Sequence, residues 1–200
     1  MSKLVPEPAP NSITPSGSPL TISKGRLLVA RVVSSPNFNE RPQGEDDIDL
    51  LVIHNVSLPP EQFGGDYIEH FFCNQLDENA HPYFKTIVDL QVSAHLLITR
   101  EGEIIQFVPF GARAWHAGRS YFNGREECND YSIGIELEGA DTIAYTDTQY
   151  LVLADVTHAI LHYYPRITKQ RIVGHSEIAP TRKTDPGEAF NWTRYFELLE

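Results

Sequence analysis

The sequence predicts a single α/β domain, a mixed central β-sheet with helices packed on it, and three observations carry that prediction. Two apolar runs, at 49–54 and 132–138, have strand character. Two further runs flank a polar turn at 99–102. A capping box at 146–149 opens a stretch whose apolar residues fall at helical spacing.

Taken in order, Asp-Leu-Leu-Val-Ile-His at 49–54 is short and rich in branched residues, as a buried strand requires. Gly-Asp-Tyr-Ile-Glu-His-Phe-Phe at 65–72 reads as a short helix with Asp66 as its cap. The runs at 92–98 and 103–108 form a hairpin, with Gly102 in the turn. Ser-Ile-Gly-Ile-Glu-Leu-Glu at 132–138 alternates apolar and polar side chains, which marks another strand. Thr-Asp-Thr-Gln at 146–149 is a capping box. It starts a helix that places Tyr150, Leu153, Thr157, Ile160, Leu161 and Tyr164 on one side and stops at Pro165. Arg-Ile-Val-Gly at 171–174 is a last strand, followed by a Pro-containing loop and a short helix from about Asn191. Residues 1–22 hold five prolines and few large apolar groups, too little to offset the entropy of ordering, and are expected to be a flexible leader before a domain spanning 23–200.

With 41% hydrophobic and 22% charged residues, the chain of 200 can bury one core. A net charge of -11 disfavours nucleic acid and anionic membranes, which select basic surfaces. No run approaches the roughly 20 apolar residues of a membrane span. The N-terminus has no apolar signal segment, so a cytoplasmic protein is the expectation. No obligate protein partner is indicated. Cys73 and Cys128 make no disulfide framework and are expected to be buried thiols.

Three features point to chemistry. His54 ends a buried strand and precedes Asn55; Glu136 is a carboxylate within an apolar run; and Gly174-His175 stands eight residues before Lys183, with Asp185 two further on. Each alone fits a structural role: a satisfied histidine, a solvated glutamate, a local turn aspartate. Together they match a catalytic zinc, which takes two imidazoles and a carboxylate and keeps a position open for water, lowering its pKa to about 7. Hydrolysis also needs a proton carrier, for which Glu136 is available if its strand faces the metal. Lys183 is available to hold the oxyanion. His158 and His162 are four apart on the long helix but lack a third ligand, and are read as helix surface. His95 and His116 are read as lining or packing residues rather than ligands.

Six ordered blocks carry a resemblance: Leu-Val-Ile-His-Asn-Val-Ser-Leu-Pro-Pro at 51–60, Asn-Ala-His-Pro-Tyr-Phe at 79–84, Val-Ser-Ala-His at 92–95, Arg-Ala-Trp-His-Ala-Gly at 113–118, Cys-Asn-Asp-Tyr-Ser-Ile-Gly-Ile-Glu-Leu-Glu-Gly at 128–139 and Gly-His-Ser-Glu-Ile-Ala-Pro-Thr-Arg-Lys-Thr-Asp-Pro-Gly at 174–187. From about residue 25 to the end, the chain resembles the AmpD-type 1,6-anhydro-N-acetylmuramyl-L-alanine amidases of cell-wall recycling. These share a fold with peptidoglycan recognition proteins and T7-type lysozymes. The resemblance implies zinc held by His54, His175 and Asp185, Glu136 activating water, and Lys183 stabilising the tetrahedral intermediate. It also implies that Asn55 and Trp115 line a cleft for a small muropeptide. Two positions depart from the family: Gln91 and Glu127 stand where arginines are frequent, which puts the peptide preference in question, with Arg119 and Arg125 as alternative cations. A non-catalytic peptidoglycan-binding module, a periplasmic enzyme of the same chemistry and a structural zinc protein are the competing readings. The complete residue set, the missing signal segment and the three-ligand count disfavour them in turn.

Overall fold

The computed structural model describes residues 19–200. The leader expected over 1–22 lies outside the described residues as far as 18; Ile22, at its end, is buried in the core. Six strands form one sheet: β1 (Arg31–Val32), β2 (Leu50–Val56), β3 (Leu96–Ile98), β4 (Ile104–Gln106), β5 (Ser132–Glu138) and β6 (Ile172–Gly174). Their spatial order is β6-β2-β5-β3-β4-β1. Only the β3–β4 hairpin is antiparallel; the other pairings are parallel. The sheet is therefore mixed, as predicted. In the hairpin turn Gly102 has φ 88°, a conformation most side chains resist. The hairpin's ordered strands are shorter than 92–98 and 103–108; at its start the Ser93 and His95 N–H groups bond the Trp115 and Gly134 carbonyls and not the hairpin partner.

Among the described residues four α-helices accompany the sheet, α1 (Tyr67–Phe72), α2 (Asp147–Tyr163), α3 (His175–Ile178) and α4 (Trp192–Glu197), together with short 3-10 turns and three two-stranded ribbons. The Thr146–Gln149 capping box is formed. Gln149 reaches further, donating to the carbonyls of Glu138 and Ile98, which ties the start of α2 to the sheet. Asn191 caps α4 through a 2.9 Å bond from the Arg194 N–H. Asp66 precedes α1, but its side chain caps nothing. Its backbone (φ -117°, ψ 9°) lies outside the extended region that aims a capping oxygen at the first turn, and its carboxylate lies 3.5 Å from His70 instead.

Strand alternation decides which residues meet the core and which meet the cleft. Leu51 and Ile53 of β2, with Ile133, Ile135 and Leu137 of β5, pack on one face against Leu153, Val156 and Ile160 of α2. Fully burying each such side chain contributes roughly 1.5–3 kcal/mol. The opposite face carries Leu50, Val52 and His54 from β2 and Ser132, Gly134 and Glu136 from β5. Cys128, packed with Leu50 and Val52, is buried as expected. Cys73 is not: it ends α1 at the surface, half-buried. His158 and His162 are exposed on α2, and among the described residues they belong to no metal-competent group. No helix among these residues is long and apolar enough to cross a membrane.

Candidate active site

The parallel register sets His54 directly opposite Glu136 on adjacent strands, both on the face away from α2. On the other side of β2, Ile53 pairs with Gly174, so the chain leaving β6 delivers His175 beside His54. The loop after α3 returns Asp185: its carbonyl accepts the Ser176 N–H at 3.0 Å. Asn55 donates to the Pro186 carbonyl at 3.1 Å and to Asp141 at 2.9 Å, and the Tyr145 hydroxyl also donates to that carbonyl. The loop is thereby held down onto the strand end.

These constraints converge on a triangle. His54 Nδ1 lies 2.9 Å from His175 Nδ1 and 3.1 Å from Asp185 Oδ2, and His175 Nδ1 lies 3.0 Å from the same oxygen. All three residues are buried. The tetrahedral edge for zinc with nitrogen and oxygen donors is about 3.3 Å, so the atoms stand within a few tenths of an ångström of a coordinating arrangement. Their protonation also calls for a cation. His175 Nε2 faces the Ala117 carbonyl at 3.0 Å and must donate to it, so the nitrogen that can offer a lone pair is Nδ1, which faces a carboxylate oxygen. Burial and then His175 push His54 down to about pKa 4, so it is a neutral ring. Two imidazoles and one carboxylate could hold a metal ion.

Glu136 sits beside this triangle. Its Oε2 is buried and has no hydrogen-bond partner. Burial, reinforced by Asp185 and opposed by Lys183, raises its pKa well above the ordinary carboxylate value. A cleft of about 350 Å³ opens over the group and is lined by His54, Asn55, Trp115, Glu136, His175, Lys183 and Asp185. The residues expected from the sequence to bind metal, carry the chemistry or line the cleft (His54, Asn55, Trp115, Glu136, His175, Lys183 and Asp185) therefore all border one cleft. Its far wall is apolar, formed by Phe71, Phe72, Ile87 and Leu90. The Trp115 ring is anchored by a 2.7 Å bond from Nε1 to Asn39.

Sequence reasoning missed Arg41, and it gave His95 and His116 as lining or packing residues without their partners. Arg41, buried, donates to the carbonyls of Phe110, Asn129, Asp130 and Ser132 and so locks the loops beneath the site; burial lowers its pKa to about 10. His95 is a packing residue: Nδ1 accepts the Gly134 N–H, Nε2 faces the Ala112 carbonyl, and burial drops it to about pKa 3. His116 contacts His54 directly, with His54 Nε2 to His116 Nδ1 at 2.9 Å. No local pattern could have found these links, which all cross between distant segments. Gln91 is exposed; Glu127 lies 3.6 Å from Arg113. Arg125 is paired with Asp47 and stacked on Tyr131, which removes it as a ready peptide anchor and leaves Arg119, exposed, as the alternative.

The comparisons agree with this architecture. The family description "N-acetylmuramoyl-L-alanine amidase" matches residues 44–188. The chain is 56% identical over 179 residues to the 1,6-anhydro-N-acetylmuramyl-L-alanine amidase AmpD of Haemophilus influenzae, covering 90% of this chain and 97% of that one. Against AmpD of Escherichia coli K12 it is 56% identical over 180 residues, covering 90% and 97%. A crystal structure of a selenomethionine AmpD derivative superposes with a TM-score of 0.87 at 54% identity, covering 90% of this chain and all of that one. The E. coli amidase AmiD, solved with anhydro-N-acetylmuramic acid-L-Ala-D-γ-Glu-L-Lys, gives a TM-score of 0.55 at 30% identity over 76% of this chain and 57% of that one. A fold that sets this cleft at the parallel strand ends and a near-complete match to these enzymes lead to one conclusion: the chain belongs to the N-acetylmuramoyl-L-alanine amidases and, within them, to the AmpD type.

Proposed function

We propose that the chain is a zinc enzyme that hydrolyses the amide between (1,6-anhydro-)N-acetylmuramic acid and the L-alanine of small muropeptides, in the cytoplasm, during peptidoglycan recycling. The observation that carries this reading is the pairing of a three-donor triangle with an unpartnered, buried carboxylate oxygen on one wall of a cleft. Supporting it are the names of the relatives and the anhydromuramyl peptide bound to AmiD.

His54, His175 and Asp185 would hold the zinc, a set that keeps a position free for reactants. When bound, the metal supplies Lewis acidity to the amide carbonyl and acidifies water. Glu136 takes the proton of the attacking water and delivers it to the alanine nitrogen as the C–N bond breaks, so the products are a lactyl carboxylate and a free amine. Its raised pKa suits it to both halves of that transfer. Lys183, exposed at the rim, presents an ammonium to the oxyanion. Trp115 offers a fixed apolar plane to the sugar or peptide. Asn55, whose amide is already bonded, shapes the wall by holding the Asp185 loop. Gln91 and Glu127 shift recognition away from stem-peptide carboxylates and towards the anhydromuramyl ring and L-alanine.

The test is incubation with anhydro-muropeptides, with and without a chelator, and mass analysis of the products. Cleavage at the lactyl–alanine bond, lost on metal removal and regained with zinc, is the expected result. Purified protein should carry about one zinc per chain, falling sharply in His175→Ala. Full zinc content in that variant would remove the ligand assignment.

A further inference from the structure

His54 can ligate a metal through Nδ1 only if its single proton sits on Nε2, and the structure contains a chain of bonds that dictates this. The Ser132 hydroxyl lies 2.6 Å from the Cys128 carbonyl, which can only accept, so the hydroxyl proton is spent there. Ser132 Oγ must then accept from His116 Nε2, 3.1 Å away. A neutral His116 with its proton on Nε2 has a lone pair on Nδ1, and that atom lies 2.9 Å from His54 Nε2. His54 Nε2 is therefore the donor, and its Nδ1 is left bare towards His175 and Asp185. Among the described residues no carboxylate pairs with His116, so a buried imidazolium there would lack a counter-charge. The chain runs from a backbone carbonyl to the metal face without a free rotor.

The position of the His116 ring is itself enforced. Asn129 Oδ1 accepts both the His116 N–H at 3.1 Å and the Ala117 N–H at 2.8 Å, which fixes the backbone. The ring lies flat on Gly134 of β5: a Cβ there would come within 3.0 Å of Cγ, Nδ1 and Cδ2. The small residue between Ile133 and Ile135 is the seat of the imidazole.

From this geometry we infer that His116, oriented by Ser132 and seated on Gly134, is a positioning residue that accepts the Nε2 proton of His54 and so presents His54 Nδ1 to the metal. The inference rests on the metal-site reading above. Groups that fix a ligating histidine's tautomer typically change metal affinity 10–100-fold when removed.

The experiment compares His116→Phe, which keeps a ring but removes the acceptor, with His116→Asn, which retains an acceptor near the Nδ1 position, and with Ser132→Ala. Two readouts are used: the zinc dissociation constant by chelator competition, and the ring ¹⁵N resonances of His54 in metal-free and zinc-loaded protein. Wild type should show His54 protonated on Nε2 in both states. His116→Phe should weaken zinc binding by about 10–100-fold and mix the His54 tautomers, and His116→Asn should recover most of the affinity. Ser132→Ala, a one-atom deletion, should mix the His116 and His54 tautomers even if the phenylalanine variant folds poorly. Wild-type zinc affinity together with an unchanged Nε2–H signal in His116→Phe or Ser132→Ala overturns the inference. If His54→Ala and His175→Ala keep their zinc, the metal-site reading fails instead, and the His54 tautomer in metal-free protein still decides the hydrogen-bond chain.

Discussion

Replacing Glu136 by glutamine should make the metal-free protein more stable while abolishing most of its activity, and the stability gain should depend on pH in a defined direction. The folded state raises this carboxyl's pKa, whereas the unfolded chain leaves it near 4.5. Below that value the group is protonated in both states and contributes no difference between wild type and Glu136→Gln. As pH rises, the unfolded chain ionises first, and wild type loses stability relative to the variant by about 1.4 kcal/mol for each pH unit until the folded group also ionises. The side chain opens partly on the cleft while one oxygen is buried and unpartnered. The plateau is therefore expected at about 1–3 kcal/mol, the usual cost of an unpaired buried acceptor. Urea unfolding of both proteins in chelator, from acidic to mildly alkaline pH, measures it. In parallel, the zinc-loaded variant should keep its metal and lose about 10²–10⁴-fold in turnover. A stability difference that is flat with pH would refute the buried-carboxyl argument, and wild-type turnover would remove Glu136 from the mechanism.

Lys183→Ala should lower kcat by about 10²–10³-fold with zinc content unchanged. A change confined to KM would make Lys183 a ground-state contact. Anhydromuramyl substrates bearing two, three or four peptide residues should show a small spread in kcat/KM, because Gln91 and Glu127 forfeit charge-assisted bonds worth about 1.5–3 kcal/mol each. A hundredfold preference for the tripeptide would direct attention to Arg119. Arg41→Ala should destabilise the fold by at least about 3 kcal/mol, since four backbone carbonyls lose their donor in a buried setting. A loss under about 1 kcal/mol in urea unfolding would mean that water replaces the guanidinium.

The parts of the fold written in local patterns were legible. The branched run ending in His54, the alternating run around Glu136 and the Thr146–Gln149 box emerge as β2, β5 and the start of α2, because each is specified by neighbouring residues alone. The convergence of His54, Glu136, His175 and Asp185 on one cleft was expected from residue chemistry and family resemblance, but its geometric cause was not. That cause is register: which β5 residue stands opposite His54 follows from strand pairing, and a sequence does not spell out pairing. The same limit hid Arg41, whose side-chain partners begin 54 residues away, and the link from His116 to His54, 62 residues apart. Asp66 misled because a capping residue type does not guarantee a capping backbone. Cys73 misled because a thiol after two buried phenylalanines still falls at a helix end.

The side-by-side placement of His54 and Glu136 has a consequence for how such an enzyme diversifies. Their spacing is set by the ladder between two central strands, about 4.8 Å apart, which is among the least deformable distances in a protein. The apolar wall comes instead from the excursion between β2 and β3, which carries its own buried cluster around Phe72 and Phe84. Under the proposed function, substitutions or length changes there should alter which muropeptide is admitted without moving His54 relative to Glu136. The apolar-wall part of selectivity is thus carried on a different stretch of chain from the His54–Glu136 pair, and grafting a relative's 57–91 segment onto this scaffold should change that wall while leaving the pair in place.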